Sequence, residues 1–361
     1  MQLRVPGPTP LPDEILQTMT RQMINHRGPQ FAEMIHKVTD ILKAMFQTKG
    51  DVFLLTCSGT GGMEAAIVNT LSPGDKVLVV ANGAFGDRFA DIAEIFGAHV
   101  ERLSFEWGTA VDPQEVRRAL SNDAGIKAVL VTHNETSTAV TNDLAAISAV
   151  VQEYEKLLIV DAISSLGCID LPTDKWGCDV VITGSQKGWM APPGLAMVSV
   201  SDRAWQAQAQ AKMPKFYWDF AKAKNFLEKG QTPWTPAVST FYALDAALEL
   251  LQREGLKNIF ARHARIAAKA RDGVKSLGLS LFADESCASN TITAVKATEG
   301  LDSKKLLKIL REEYDTVLAG GQQRLDGKIF RIGHLGYVNE GDIDAVIEAL
   351  KAALPQAGFS G

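Results

Sequence analysis

The sequence predicts an α/β protein in which a large domain with a mostly parallel sheet, covered by helices, precedes a smaller C-terminal α+β domain. Short, continuously apolar strands such as KVLVVA (76–81) and KAVLVT (127–132) alternate with helical segments. Strands that are apolar on both faces and alternate with helices are typical of a parallel sheet covered on both sides. After residue 255 the pattern changes, which predicts the smaller domain.

Three regions are expected: an N-terminal arm over 1–24, a large domain over 25–254 and a small domain over 255–361. The prolines of the segment Pro6-Gly7-Pro8-Thr9-Pro10 predict an extended arm rather than a helix. In the large domain, strands are predicted at 51–56, 76–81, 99–105, 127–132, 157–161, 179–184 and 195–200, with helices at 31–47, 86–97, 113–120 and 144–154. A further helix is predicted to open within 57–64 and to run to about residue 71. Helical pattern dominates 238–277. Strands at 290–296 and 328–332 and helices at 303–313 and 341–353 follow.

Composition and charge argue against several classes of protein. The 361 residues carry a net charge of −5 and no arginine-rich run, which argues against a nucleic-acid partner. No apolar run reaches the ~18 residues of a membrane span, and the N-terminus lacks a signal-peptide pattern. The four cysteines and six histidines show no metal-ligand spacing, so no metal site is predicted. We therefore expect a cytoplasmic enzyme.

The stretch Asp179–Gly194 contains the central candidate residue, Lys187. A β-branched strand ends in Gly184-Ser185, and Gln186 and Lys187 follow before a Pro-Pro-Gly stop. Open α/β sheets hold their ligands at the carboxyl ends of strands, and a desolvated lysine there can act as a nucleophile. A lone loop lysine is more often a surface residue, so the assignment depends on the other motifs.

The segment Ser58-Gly59-Thr60 is a candidate anion site, because it joins a strand to the start of a helix. Unpaired N–H groups and the positive end of the helix dipole point to one place there. Asp161 ends another buried strand and needs a cationic partner. Alternatively, Asp161 caps the following turn. Ile163 points to the same side as Asp161 and can pack on a ring.

Five more residues are candidates. Phe85 and Thr136 follow strands 76–81 and 127–132. The threonines of Thr232-Pro233-Trp234-Thr235-Pro236 either contact a ligand or cap the helix that starts near residue 238. Arg331 follows an apolar strand in Phe330-Arg331-Ile332-Gly333, and its planar guanidinium matches a carboxylate.

These motifs, in this order, resemble the class V aminotransferase family, in particular its alanine/serine–glyoxylate aminotransferase branch. The resemblance extends from Pro6-Gly7-Pro8 to Arg331-Ile332-Gly333, and its most specific parts are Gly-Ser-Gln-Lys and the V-D-A-I-S-S-L-G segment around Asp161. It implies the fold type I of pyridoxal-phosphate (PLP) enzymes and a homodimer whose subunits share their active sites.

The resemblance also implies residue roles. Lys187 would hold PLP covalently as a Schiff base and then act as general base and acid, while Asp161 keeps the pyridine nitrogen protonated. Other implied cofactor contacts are Ser58, Gly59, Thr60 and Gln186 at the phosphate, Phe85 and Ile163 on the ring faces, Thr136 near the phenolic oxygen, and Thr232 and Thr235 from the neighbouring subunit. Arg331 would bind the substrate carboxylate, and Gly7 would lie at the active-site mouth.

The implied reaction is the ping-pong transfer of an amino group from alanine or serine to a 2-oxo acid such as glyoxylate or pyruvate. A dicarboxylate substrate would need a second cation, and no second arginine stands in a comparable motif. Aspartate or aminoethylphosphonate stays open as an alternative, as does a cysteine-desulfurase-type lyase with Cys287 as its reactive cysteine. Some relatives carry the label of a hydrogenase subunit. That role would need a cluster of metal-ligating cysteines or histidines, and the sequence contains no such cluster.

Overall fold

The computed structural model describes residues 1–359. The strands are β1 (Gln2–Leu3), β2 (Asp51–Leu55), β3 (Lys76–Ala81), β4 (His99–Ser104), β5 (Ile126–Thr132), β6 (Asn134–Glu135), β7 (Val140–Thr141), β8 (Leu157–Asp161), β9 (Val180–Gly184), β10 (Ala196–Val200), β11 (Ile292–Lys296), β12 (Thr316–Val317), β13 (Ala319–Gly320) and β14 (Ile329–Gly333). The helices are α1 (Asp13–Thr18), α2 (Pro29–Phe46), α3 (Gly59–Thr70), α4 (Ala84–Ile95), α5 (Pro113–Asn122), α6 (Leu144–Glu153), α7 (Thr173–Trp176), α8 (Asp202–Gln210), α9 (Phe220–Leu227), α10 (Val238–Glu254), α11 (Leu256–Ser276), α12 (Ser303–Glu313) and α13 (Glu340–Ala353).

A seven-stranded sheet of order β2-β10-β9-β8-β5-β3-β4 forms the centre of the molecule. It is mostly parallel, as predicted, but β10 runs antiparallel to both of its neighbours. The reversal of β10 was not predicted from the sequence. Its physical reason is the connection: the segment 185–195 between β9 and β10 contains no helix, whereas a parallel crossover needs a dozen or more residues, usually including a helix.

Helices cover both faces of this sheet, which explains its continuously apolar strands. In β3, Leu78 and Val80 pack into a core with α2 and α10, while Val77 and Val79 pack into a second core with α3 and α4. Successive side chains of a strand point to opposite faces, so each strand must be apolar at every position. Within residues 1–359, no helix has the length and apolar character that a bilayer crossing requires.

The N-terminal arm is extended up to Pro12 and then forms the short helix α1. Gln2 and Leu3 pair with Thr316 and Val317, so the first residues add a strand to the C-terminal part of the chain. There, β11, β14 and β13 form an antiparallel sheet that shares a third core with α12 and α13. Gly255 separates α10 from α11. The division into domains at this residue stays a prediction.

Candidate active site

A cavity of about 140 Å³ lies at the carboxyl ends of the central strands. Its lining brings together most of the predicted site residues, namely Ser58, Gly59, Thr60, Phe85, Thr136, Asp161, Ile163, Gln186 and Lys187. Met63, Arg88, Asn134 and Ser164 complete the lining. Residues from five separate segments of the sequence therefore meet at one edge of the sheet, as parallel strands allow.

Lys187 follows β9, and its amine contacts the N-terminal arm. Lys187 Nζ donates a hydrogen bond to the Pro6 carbonyl at 2.6 Å. Gly7 is required beside it, because a Cβ there would lie 2.7 Å from Lys187 Nζ and the backbone φ is +141°. Burial lowers the pKa of Lys187 to about 8; Asp161 opposes this shift, and the charges of Arg331 and Arg88 add to it. A larger fraction of this amine is therefore neutral near pH 8 than for an exposed lysine.

Asp161 ends β8 and is 3% exposed. Its Oδ1 accepts a hydrogen bond from the Ile163 N–H at 2.9 Å, so Asp161 caps the turn that follows β8, whereas its cofactor role stays a prediction. Burial raises the pKa of Asp161 to about 7, and the charge of Glu135 adds to the shift, while Lys187 and Arg88 oppose it. A cation placed beside this carboxylate would restore its ionised form.

The N-terminus of α3 borders the same cavity. Ser58 stands at the N-cap but makes no side-chain cap hydrogen bond, so the first N–H groups of α3 are available to an anion. A Cβ at Gly59 would lie 2.5 Å from Ile163 Cδ1, so only glycine fits there without displacing Ile163. The buried Gln186 Oε1 has no hydrogen-bond partner within residues 1–359.

These features fit PLP. A buried carboxylate without a cationic partner suits the pyridine nitrogen, uncapped helix N–H groups suit the phosphate, and a lysine amine with a lowered pKa suits the aldehyde. Phe85 and Ile163 supply apolar surface between these ends of the cavity. In the part of the chain that the structure describes, no group of three or more His, Cys, Asp or Glu side chains could hold a metal ion.

Arg331 is held beside the cavity by carbonyl groups. Its Nε donates to Gly320 O at 2.9 Å and its Nη1 to Thr136 O at 3.0 Å. Burial lowers the pKa of Arg331 to about 10. The Thr136 hydroxyl donates to Ser164 Oγ at 2.9 Å. Arg331 Nη2 makes no hydrogen bond among residues 1–359 and remains available to an anion.

Five residues singled out from the sequence lie outside the cavity lining, namely Gly7, Thr232, Thr235, Cys287 and Arg331. The Thr232 hydroxyl donates to Trp234 O at 2.7 Å, and Thr235 is exposed. Cys287 lies in a short 3-10 turn, where its thiol contacts Asp284 O at 3.4 Å. Partial burial raises the pKa of Cys287, which disfavours the reactive thiolate.

Arg88 lines the cavity but was not predicted from the sequence. The sequence predicts a helix from Gly86, but α4 begins at Ala84, so Phe85 and Arg88 lie one turn apart on the same face. The Arg88 guanidinium carbon lies 4.7 Å from the centre of the Phe85 ring. Among the described residues, no carboxylate lies within 4.0 Å of Arg88. The sequence signal for Arg88 was its position three residues after Phe85, in the segment Phe-Gly-Asp-Arg.

Comparisons with known proteins identify the family. The family model described as aminotransferase class-V matches residues 3–344. The "Soluble hydrogenase, small subunit" of Synechococcus sp. (strain PCC 6716) is 46% identical, over 99% of this chain and 94% of its own. The L-aspartate–glyoxylate aminotransferase of Paracoccus denitrificans is 39% identical, over 93% of this chain and 86% of its own.

A solved structure, the alanine–glyoxylate aminotransferase from Nostoc sp., matches with a TM-score of 0.94 and 30% identity, covering 98% of this chain and 95% of that one. The family match, the relatives and this structure all extend over nearly the whole chain. The chain therefore belongs to the class V aminotransferases, a family of PLP-dependent enzymes of fold type I.

Proposed function

We propose that the protein transfers the amino group of alanine or serine to a 2-oxo acid such as glyoxylate or pyruvate, with PLP bound covalently to Lys187. The observation that carries the proposal is the meeting, in one cavity, of the Lys187 amine and the buried Asp161 carboxylate. Each pKa is shifted toward neutral pH, a combination that is typical of catalytic sites.

The roles of the residues follow from their positions. PLP, when bound, supplies the ring that accepts negative charge from the substrate Cα. Lys187 would take the proton from the substrate Cα as general base and deliver it as general acid to C4′ of the cofactor, since its lowered pKa allows both protonation states near pH 8. Asp161 would keep a proton on the pyridine nitrogen. Arg331 would orient the substrate through its carboxylate, because its Nε and Nη1 are already fixed by carbonyl groups.

A homodimer with shared sites belongs to the proposal. Ser58, Gly59, Thr60 and Gln186 would hold the phosphate within one chain. Thr235 is exposed in the single chain, so contact with a partner's cofactor is possible. A mixture of K187A and T235A subunits tests this: a hybrid dimer contains one site with both native residues, so mixing two weakly active variants would restore activity. Mixing without recovery, or an active monomer in sedimentation, would refute sharing.

Aspartate is a second candidate donor, favoured by Arg88. This cation lines the cavity and has no carboxylate partner among residues 1–359. A four-carbon dicarboxylate could place one carboxylate on Arg331 and the other on Arg88. The relative from Paracoccus denitrificans carries the name L-aspartate–glyoxylate aminotransferase. Aminoethylphosphonate stays an alternative that no observation favours. Cys287 lies outside the cavity lining, which gives no support to desulfurase chemistry.

The donor is identified by kinetics with the PLP-loaded enzyme. We would measure kcat/KM for alanine, serine, aspartate and cysteine with glyoxylate as acceptor, and follow glycine formation. The proposal expects alanine or serine to give the highest value, with no sulfide release from cysteine. In R88Q, a selective loss of aspartate turnover would support the second candidate. Glycine formation from none of these donors would refute the proposed function.

A further inference from the structure

Glu135 is a buried carboxylate at the end of β6 that no proposed catalytic step uses. It is 0% exposed. Its Oε2 accepts hydrogen bonds from the N–H groups of Phe85 and Gly86, both at 3.0 Å. Its Oε1 accepts from the N–H and the hydroxyl of Ser137, at 3.0 and 2.6 Å. Four donors therefore converge on one carboxylate.

Glu135 and Ser137 together cap α4 from a distant segment of the chain. The Ser137 hydroxyl oxygen accepts a hydrogen bond from the Ala84 N–H at 2.9 Å. The first three N–H groups of α4 are thus satisfied by the β6–β7 hairpin rather than by the N-cap residue, Gly83. A side chain at Gly83 would collide with the Glu135 carboxyl group, so the glycine makes room for this external cap.

The cap requires an acceptor without hydrogens, which only an ionised carboxylate provides. Burial raises the pKa of Glu135 above its ordinary value, and the four hydrogen bonds and the positive end of α4 counteract part of this shift in favour of the anion. A carboxamide at this position would direct an NH₂ group at two N–H donors or at Ser137. The hydrogen bonds would then be lost rather than weakened.

The same hairpin reaches other parts of the cavity. Thr136, next in the chain, accepts from Arg331 through its carbonyl and donates to Ser164 through its hydroxyl. The capped first turn of α4 carries Phe85, and Arg88 lies one turn further along the same face. Glu135 therefore connects β6 to the backbone of Phe85 at the start of α4.

We propose that Glu135 is a positioning residue for the cofactor: its carboxylate holds the first turn of α4 so that the Phe85 ring lies where the PLP ring can stack on it. The inference rests on the proposed function, because it assigns Phe85 to the face of the cofactor. It adds a residue that contacts neither substrate nor cofactor and acts through the backbone of Phe85 and Gly86.

The test is a double-mutant cycle between Glu135→Gln and Phe85→Ala, with PLP affinity as the readout. The apo protein is titrated with PLP, and the visible absorbance and circular dichroism of the bound cofactor give the Kd and the ring environment. A lost aromatic stack corresponds to roughly a tenfold weaker Kd. We expect E135Q to show a loss of this size with Phe85 present and less than about twofold further loss in the F85A background, because coupled residues are non-additive.

Controls separate positioning from general destabilisation. Glu101→Gln, at an exposed position of β4, is the matched control and should bind PLP as wild type does. Should E135Q fail to fold, S137A removes only the hydroxyl from the cap and should give a smaller loss that also vanishes in the F85A background. An unchanged Kd in a folded E135Q, or the same loss in both backgrounds, would overturn the inference. A wild-type protein that binds no PLP would instead overturn the proposed function, and the inference with it.

Discussion

At the scale of single residues, burial brings the pKa values of Lys187 and Asp161 closer together. Burial disfavours the charged form of either group, so the amine becomes more acidic and the carboxyl group less acidic. Their mutual attraction only partly offsets this effect. A suitable cofactor would remove the free-energy cost of burying both charged groups, because it would place a cationic nitrogen beside Asp161 and form a bond with the amine of Lys187.

The pKa of Lys187 predicts how the capture of PLP depends on pH. Only the neutral amine is a nucleophile, so the rate of capture by the apo protein should rise with pH and level off above about pH 8. Stopped-flow absorbance after mixing with PLP measures this rate, and K187A is the blank. A rate that still rises steeply near pH 10 would show that the amine behaves as an exposed lysine.

Replacing Asp161 should affect chemistry more than cofactor binding. In D161N the side chain keeps its size but loses the charge that would hold a proton on the pyridine nitrogen. We expect the single-turnover rate of amino transfer to fall on the order of 10²–10³-fold, as when a preorganised electrostatic contact is removed. Capture of PLP by Lys187 should persist in the visible spectrum. D161E is the conservative control, and near-normal turnover by D161N would contradict the assignment.

The sequence was sufficient to bring Lys187, Asp161 and Ser58 to one cavity, since each follows an apolar strand of a parallel sheet. It could not reveal Glu135, because the hydrogen bonds of this residue reach Phe85 and Gly86, 50 and 49 positions away. No local pattern encodes such a cap. Thr232 and Thr235 stay predictions, because their roles involve a second subunit.

At the scale of elements, α3 and α4 use their N-termini differently. The first N–H groups of α4 are satisfied by Glu135 and Ser137, whereas Ser58 at the N-cap of α3 makes no side-chain cap bond. The α3 terminus is thus the one suited to a phosphate. The predicted start of α4 at Gly86 was two residues late, because the external cap extends this helix toward its N-terminus.

The space around the α3 terminus predicts the effect of Gly59→Ala. The added methyl group would lie 2.5 Å from Ile163 Cδ1 and would displace this side chain toward the cofactor ring. Overpacking of this kind costs about 1–3 kcal/mol, which we expect as weaker PLP binding in a titration of the apo protein. Gly341→Ala, in the exposed first turn of α13, is the matched control. Wild-type affinity in G59A would contradict the placement of Ile163 against the cofactor ring.

At the scale of the whole molecule, the N-terminal arm connects the C-terminal part of the chain to the cavity. Gln2 and Leu3 pair with β12, and Arg4 forms an ion pair with Asp342 at 2.6 Å. Further along the arm, the Pro6 carbonyl accepts a hydrogen bond from the Lys187 amine. The sequence predicted the extended arm but not its strand pairing. A two-residue strand carries too little periodicity to be recognised, and its partner lies more than 300 residues away.

Buried histidines near these contacts predict a pH dependence of stability. His334 forms a hydrogen bond with Thr293 Oγ1 at 2.9 Å. Burial, together with the charges of Arg271 and His263, lowers the pKa of His334 to about 3. The unfolded chain binds this proton near pH ~6.5, so the contribution of His334 to stability is lost as the pH falls from there toward 3.

In H334Q the dependence of unfolding free energy on pH should be shallower by about 1.4 kcal/mol per pH unit between pH ~4 and ~6. Urea unfolding of the apo protein at several pH values measures this slope. His99→Gln, at an exposed position of β4, is the matched control. Parallel profiles for H334Q and wild type would show that His334 is protonated in the folded protein.

The central claim, that Lys187 carries the cofactor, is tested most directly by reducing the PLP-loaded protein with borohydride and mapping the modified peptide by mass spectrometry. The account predicts one modified residue per chain, Lys187, together with loss of an absorbance band near ~420 nm (a PLP–lysine Schiff base) that alanine or serine also bleaches before reduction. Modification of another lysine, or no modification after loading with PLP, would contradict the account.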